Sequence, residues 1–146
     1  MTDEAQVRVL LVGVGRVPES LAAAAEEVLG PQPDLATLRV ENPVDRGLVE
    51  TRIAEAVARL DQGRGVLLLA DLCGSSVANV CYALARGRPE LDVLCGANLA
   101  MLTKLYAVDR AGLDTTTLAQ LLADTGRRSI TLASDAFAAE RADEEA

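Results

Sequence analysis

The chain alternates between short apolar runs and longer stretches in which apolar residues recur every three or four positions. The short runs have the length of buried strands and span 7–12, 35–40, 65–70 and 91–95. The longer stretches have the period of one helix face. Residues suited to begin these helices are Pro18, Asp45, Ser75 or Ser76, Asn98, and Asp114 or a threonine after it. Regular alternation of this kind predicts an α/β domain with a doubly wound, mostly parallel sheet.

The C-terminal part of the chain has a different pattern. Polar and apolar residues alternate over Ser129–Ser134, which predicts an edge strand. From Asp135 onward the chain is acidic, with five acidic residues against one arginine, and this segment is either a solvated helix end or a disordered tail. The predicted organisation is therefore one α/β domain over residues 1–134 followed by an acidic C-terminal tail over residues 135–146.

Composition and charge exclude several classes of function. The 146 residues match the usual size of one domain, and the net charge is −8. That charge argues against a nucleic-acid partner and against attraction to an anionic membrane surface. No apolar run approaches the roughly 18 residues of a membrane-spanning helix, and the acidic N-terminus lacks the pattern of a signal peptide. The expected protein is cytoplasmic, without direct membrane insertion.

The sequence contains no histidine. Imidazole bases, histidine metal ligands and phosphohistidine chemistry are therefore absent from this chain. Its three cysteines, Cys73, Cys81 and Cys95, lack the C-x-x-C spacing of a zinc site, so neither a metal nor another cofactor is predicted. Cys81 falls on an apolar helix face and Cys95 ends a strand, so both are assigned to the core.

A ligand-binding crevice is expected where the order of the strands reverses. If the first strand lies between the second and the third, the loops that follow the first and third strands form this crevice, because ligands in such sheets bind beyond the carboxyl ends of the strands. The candidate ligand-binding residues are Gly13, Val14, Gly15, Asp71, Cys73, Gly74, Ser75, Ser76, Asn79 and Asn98.

The two loops allow several chemical roles. Gly13 and Gly15 form an incomplete dinucleotide fingerprint whose third glycine is replaced by Pro18, so a tight turn explains them equally well. The small residues after the third strand suit an anion cradle at a helix N-terminus. Asp71 could orient a base, accept a phosphoryl group, or accept hydrogen bonds from neighbouring loop amides. Cys73 is either a nucleophile or a small packing residue.

Four stretches of the chain resemble the enzyme IIA domain of the mannose/fructose class of the bacterial sugar phosphotransferase system. The likeness covers nearly the whole chain, from Val7 to about Ala133, and these four stretches carry it, in the order and at the spacing of that family. They are LLVGVGRVPESLAAAAEEVLG (Leu10–Gly30), GRGVLLLADLCGSSVANV (Gly63–Val80), VLCGANLAMLTKL (Val93–Leu105) and DTGRRSI (Asp124–Ile130).

The resemblance implies a flavodoxin-like fold and a homodimer, in which a last, antiparallel edge strand can be exchanged between subunits. It also implies a phosphoryl carrier that receives its phosphoryl group from the carrier HPr on a histidine in the first loop. Such a carrier passes the group to an enzyme IIB partner, and so to a sugar entering through a permease. In this sequence the histidine position holds Val14, and Asp71 matches the aspartate that accompanies the histidine. Ser76 and Asn79 match the serine and asparagine of the next motif, whereas its proline and aromatic residue are missing.

Three functions follow from these residues. The first is a regulatory or interaction protein that has lost the phosphoryl-carrier step and binds HPr, enzyme IIB or a paralogous enzyme IIA. The second is a carrier that uses Asp71 or Cys73 in place of histidine. The third is a binder of a small anionic ligand such as a phosphate, nucleotide or sugar phosphate. An oxidoreductase of the Rossmann type is disfavoured by Pro18.

Overall fold

The computed structural model describes residues 4–32 and 35–145. Within that part, four strands form one parallel sheet, and six helices connect the strands or follow them. The strands are β1 (Arg8–Val14), β2 (Leu35–Val40), β3 (Val66–Ala70) and β4 (Leu91–Cys95). The helices are α1 (Val17–Leu29), α2 (Arg46–Leu60), α3 (Ser76–Ala85), α4 (Leu99–Ala107), α5 (Thr115–Arg128) and α6 (Ala133–Glu145). This architecture confirms the predicted α/β class.

The strand order is β2-β1-β3-β4, and every pairing in it is parallel. β1 therefore lies between β2 and β3, which is the arrangement on which the expected crevice depends, and the order reverses at the carboxyl ends of β1 and β3. Leu10 of β1 is paired with Ala36 of β2 on one side and with Leu68 of β3 on the other. The reversal places the loops after β1 and β3 next to each other.

Two hydrophobic cores cover the two faces of the sheet. One lies between the sheet and helices α2 and α3, and the other lies between the sheet and helices α1, α4 and α5. β3 contributes to both cores, because its alternate residues point to opposite faces and all five are buried. Complete burial of one leucine side chain stabilises the fold by roughly 1.5–3 kcal/mol. The rigidity of this central strand fixes the position of the loop that follows it.

Four helices begin with the side-chain caps that the sequence predicts. Asp45, Ser75, Asn98 and Asp114 each accept a hydrogen bond from the backbone amide three residues ahead, at distances between 2.7 and 3.1 Å. Each bond satisfies one of the amide donors that a helix N-terminus leaves free. Helix α1 begins differently, since Arg16 makes no side-chain cap and Pro18 lies in the first turn.

The structure does not contain the edge strand that the sequence predicts over Ser129–Ser134. Ser129 ends helix α5, and helix α6 already begins at Ala133. Ile130 and Leu132, the apolar residues of the expected strand, are 80% and 69% exposed. Alternation over so few residues is outweighed by the alanine- and glutamate-rich sequence that follows, which has high helix propensity and extends the helix back to Ala133. The acidic segment is thus an exposed helix within residues 133–145.

Across residues 4–32 and 35–145, none of the helices combines the length and the apolar character that crossing a lipid bilayer requires.

Candidate functional site

The two loops at the sheet reversal are joined through the Asp71 carboxylate. Its Oδ2 atom accepts a hydrogen bond from the Val14 amide at 3.0 Å, and its Oδ1 atom accepts one from the Leu72 amide at 2.7 Å. The Ser75 hydroxyl lies 3.3 Å from the same Oδ1 atom and donates to it. The backbone adds a further link, because the Asp71 amide donates to the Val12 carbonyl at 3.2 Å. One carboxylate therefore connects the ends of β1 and β3.

Gly13 allows the two loops to approach this closely. A Cβ atom at position 13 would lie 3.1 Å from Cβ and from Oδ2 of Asp71, and 3.1 Å from Cγ of Pro18. These separations are tighter than ordinary van der Waals contacts. The glycine is thus required by the distance between β1, the Asp71 side chain and the first turn of α1, rather than by an unusual backbone angle.

Two of the chain's own side chains accept amide hydrogen bonds at the start of α3 and in the loop before it. Ser75 Oγ accepts the Ala78 amide at 3.0 Å while the Ser75 hydroxyl donates to Asp71. The Leu72 amide, also close to the predicted anion cradle, donates to the same carboxylate. The anion held by this loop is therefore Asp71 itself, which is the role of accepting hydrogen bonds from neighbouring loop amides.

The side chain of Val14 is part of the core on the α2–α3 side of the sheet. It is partly buried and packs against the cluster that contains Val12 and Val40, and Val40 is also its register partner in β2. Its amide is the group that donates to Asp71. The position that the resemblance matches to the family's histidine holds an aliphatic side chain, which has no lone pair for a phosphoryl bond.

Three thiols surround the carboxyl ends of β3 and β4. Cys73 is exposed, Cys95 is half-buried, and Cys81 of α3 is buried. The Cys73 thiol lies close enough to Cys95 to raise its pKa. Burial is the main cause that raises the pKa of the Cys81 thiol from 9.0 to about 12, and the nearby Cys95 and Asp71 raise it further. Burial, then Cys73, then Asp71 raise the pKa of Cys95 above its ordinary 9.0.

The other predicted site residues are more scattered. Gly15 and Gly74 adopt left-handed φ values of +66° and +85°, and the Gly15 amide donates to the Val40 carbonyl at 3.0 Å. Ser76 is the exposed first residue of α3, and Asn79 is exposed one turn later. Asn98 is the N-cap of α4, and its Oδ1 atom accepts the Met101 amide at 3.1 Å. Its side-chain amide also lies beside Gly126 of α5, so the Asn98 side chain is used in holding helices together.

Two residues at the site were not among the predicted site residues. Cys95 was assigned to the core, but it is half-buried and close enough to Cys73 for that thiol to raise its pKa. Its register pairing with Ala70 places it at the same sheet edge as Asp71, and the matching lengths of β3 and β4 could have indicated this. Pro18 was considered only as a helix-opening residue and as a defect in a dinucleotide motif, whereas its ring packs within reach of Gly13.

This geometry defines a doubly wound α/β domain in which a glycine loop and an aspartate loop meet where the strand order reverses. The family described as "PTS system fructose IIA component" matches residues 8–122, which is well over half of the chain. The chain therefore belongs to the mannose/fructose class of phosphotransferase-system IIA domains. No curated protein sequence matches it significantly.

Solved structures with the same fold cover almost the whole chain. An EIIA component from Streptococcus agalactiae superposes with a TM-score of 0.77 at 21% identity, covering 88% of this chain and 98% of that one. A mannose/sorbose-specific IIA subunit from Enterococcus faecalis gives 0.76 at 23% identity, with coverages of 87% and 94%. The IIA protein associated with the fucose utilization operon of Streptococcus pneumoniae gives 0.77 at 19% identity, with coverages of 92% and 99%. Identities this low describe a shared fold.

Proposed function

We propose that this protein uses the IIA fold as a regulatory or interaction module and does not carry a phosphoryl group. The observation that carries the proposal is the occupation of position 14. Phosphoryl transfer through this family's first loop needs a nucleophilic nitrogen there, and Val14 instead packs its side chain into the core. No histidine elsewhere in the sequence can replace it.

The contacts of Asp71 argue against its use as a substitute acceptor. Both of its oxygens already accept hydrogen bonds, from Val14, Leu72 and Ser75. Phosphorylating either oxygen would break at least one of these bonds and place additional negative charge inside the loop. The same bonds consume donors that a small anionic ligand would need, which weakens the alternative of an anion-binding protein.

Exposed apolar residues on the two loops favour a protein partner at the crevice. Leu72, which follows Asp71 directly, is 66% exposed, and Val17 at the start of α1 is 44% exposed. Apolar side chains left in water at the rim of a crevice are typical of a docking surface. The partner classes that the family suggests are HPr, an enzyme IIB or a paralogous IIA domain, all of which a cytoplasmic protein would meet.

We further propose that the chain forms a homodimer. In the described part of the chain β4 pairs only with β3, so its outer edge is open. Ile130, Leu132 and Phe137 form an exposed apolar segment close in sequence. Burying this segment against a second copy would remove it from water. Light scattering should give the mass of a dimer at micromolar concentration and of a monomer for Leu132→Asp, and a monomeric wild-type chain would contradict the dimer.

The decisive experiment is incubation with phosphoenolpyruvate, enzyme I and HPr, followed by intact-mass measurement. We expect no mass increase, while a histidine-bearing IIA protein in the same tube becomes phosphorylated and shows that the relay works. A gain of one phosphoryl group that disappears in Asp71→Ala or Cys73→Ser would overturn the proposal and establish the alternative carrier.

Binding at the crevice rim is tested separately by calorimetry with HPr and with enzyme IIB. For the partner that binds, Leu72→Ser should weaken the affinity by tenfold or more, since truncating a central apolar contact removes more than about 1.4 kcal/mol. Tyr82→Ser is the matched control, because Tyr82 is equally exposed but lies toward the other end of α3. Equal effects of the two substitutions would place the partner elsewhere.

A further inference from the structure

We infer that Cys73 and Cys95 are a reversible oxidation site. A peroxide or a small-molecule disulfide oxidises the two thiols, and the resulting disulfide bond links the loop after β3 to the end of β4. The two thiols belong to different elements and are separated by the whole of α3. They meet at the carboxyl edge of the sheet, beside the carboxylate that connects β1 and β3.

The strand register brings the two cysteines together. Cys95 is the last residue of β4 and pairs with Ala70, the last residue of β3. After Ala70 the chain passes through Asp71 and turns, and the Ser75 amide donates to the Leu72 carbonyl at 3.1 Å. This turn keeps Cys73 near the ends of β3 and β4, where its thiol is close enough to Cys95 to influence it electrostatically.

The face of the sheet on which Cys95 lies follows from strand alternation. Leu91 and Val93 of β4 belong to the core on the α2–α3 side, so Cys95, two residues after Val93, points to that same side. Cys81 of α3 is a buried member of that core. The thiol of Cys95 is therefore directed toward α3 and the loop that precedes it, where Cys73 lies.

Unequal exposure gives the two thiols different roles. Cys73 is exposed and can meet an oxidant from solution, whereas Cys95 is half-buried behind it. Cys81 is buried and held in its protonated form, because its pKa is about 12, so it takes no part. Cys73 is thus the attacking thiol, and Cys95 is the resolving thiol.

The chemistry balances with one peroxide. The Cys73 thiolate attacks one oxygen of hydrogen peroxide, the O–O bond breaks, and a sulfenic acid forms as hydroxide leaves and is protonated to water. The Cys95 sulfur then attacks the Cys73 sulfur, the S–S bond forms, and the S–O bond breaks. The hydroxide that leaves takes up the proton of the Cys95 thiol and becomes a second water. The two thiols have been oxidised by two electrons, and the peroxide has been reduced to two waters. Dithiothreitol reverses the product by thiol–disulfide exchange.

The test is oxidation of the reduced full chain with stoichiometric hydrogen peroxide, followed by alkylation and peptide mapping under non-reducing conditions. We expect an intramolecular Cys73–Cys95 peptide, loss of two hydrogens from the intact mass, and full reversal by dithiothreitol. Cys81→Ala should leave this product unchanged. Cys95→Ser should instead leave Cys73 as a sulfenic acid that a dimedone probe captures.

Three outcomes would overturn the inference. The first is a chain in which both thiols remain alkylatable after oxidation. The second is a product in which Cys73 is linked only to the Cys73 of another molecule. The third is a wild-type product in which Cys73 proceeds to sulfinic acid without bonding to Cys95. None of these readouts depends on phosphoryl transfer or on partner binding, so they are independent of the proposed function.

Discussion

The amide of Val14 donates a hydrogen bond to the Oδ2 atom of Asp71, 57 residues later in the chain, over a distance of 3.0 Å. The bond joins the loops after the two central strands, and it uses the backbone of the residue that the resemblance matches to the family's histidine. The side chain of that residue packs against the core. Position 14 therefore contributes two structural contacts, one through its amide and one through its side chain.

The importance of the Asp71 carboxylate can be measured through stability. Asp71→Ala removes the acceptor of three hydrogen bonds and leaves the Val14 amide without its partner, so we expect the free energy of unfolding to fall by about 2–3 kcal/mol. Asp71→Asn keeps an oxygen acceptor and should cost less. Urea unfolding measures both, and an alanine variant within roughly 0.5 kcal/mol of the wild type would show that the bonds contribute little.

The close approach at Gly13 predicts a cost for the smallest side chain. Gly13→Ala places a methyl group 3.1 Å from Asp71 and Pro18, and we expect it to destabilise the fold by about 1–3 kcal/mol, because neither neighbour can withdraw freely. Gly47→Ala in the first turn of α2 is the matched control. Its added methyl group meets only an Asp45 oxygen at 3.7 Å, and alanine favours the helix, so stability should be unchanged or higher. Thermal unfolding distinguishes the two.

Restoring histidine at position 14 tests whether only the acceptor has been lost. Val14→His should make the chain accept a phosphoryl group from HPr, because the accompanying aspartate and the scaffold are retained. The same substitution replaces a core contact with a polar ring and should lower the free energy of unfolding by about 1–3 kcal/mol. The intact mass after the phosphorylation reaction measures phosphoryl transfer, and urea unfolding measures the change in stability. Val14→Ala, which truncates the side chain without adding a nucleophile, should remain unphosphorylated.

The pKa of Cys81 predicts how stability changes in alkali. The thiol keeps its proton in the folded state until about pH 12, whereas in the unfolded chain it loses the proton near pH 9.0. Stability should therefore be fully present below pH 9 and decline as the pH rises toward 12. Burial is the main cause, and the charges of Cys95 and Asp71 act in the same direction. Urea titrations under reducing conditions should show a shallower alkaline decline in Cys81→Ala, and an equal slope in both proteins would contradict the assignment.

A second group makes stability depend on pH in acid, where stability should fall as the pH falls. The Asp114 carboxylate caps α5, and its bond from the Thr117 amide holds the pKa of Asp114 below its ordinary value. A lowered folded pKa means that this contribution is present above pH 3.8 and is lost as the pH falls through the folded value. Asp114→Asn keeps an N-cap oxygen but does not titrate. The free energy of unfolding of this variant, measured by urea titration, should depend less steeply on pH below pH 4 than that of the wild type. The same pH dependence in both proteins would show that the charge has no effect.

Local signals predicted much of the fold. β2 and β4 begin and end where the sequence pattern places them, and the caps at Asp45 and Asn98 were readable because capping depends on residues next to each other in the chain. The edge strand at Ser129–Ser134 was wrong because alternation over six residues does not identify a partner strand, and a strand without a partner gains no ladder of hydrogen bonds.

The contacts of the site were harder to predict, since they join residues far apart in the chain. The sequence places Asp71 directly after the third strand, but whether its carboxylate would face solvent or bind the Val14 amide depends on the distance between two loops. Cys95 was assigned to the core because a residue that ends a buried strand usually belongs there. Its proximity to Cys73 depends on where the turn after β3 leaves the sheet. The boundary of the acidic tail stays a prediction.

The anchoring of the Val14 side chain in the α2–α3 core has an evolutionary consequence. A residue that helps to hold a domain together is selected for folding as well as for any task at the site. Replacing it with a polar side chain therefore passes through a less stable protein, which compensating changes elsewhere must rescue. Selection for folding alone should thus keep this position apolar.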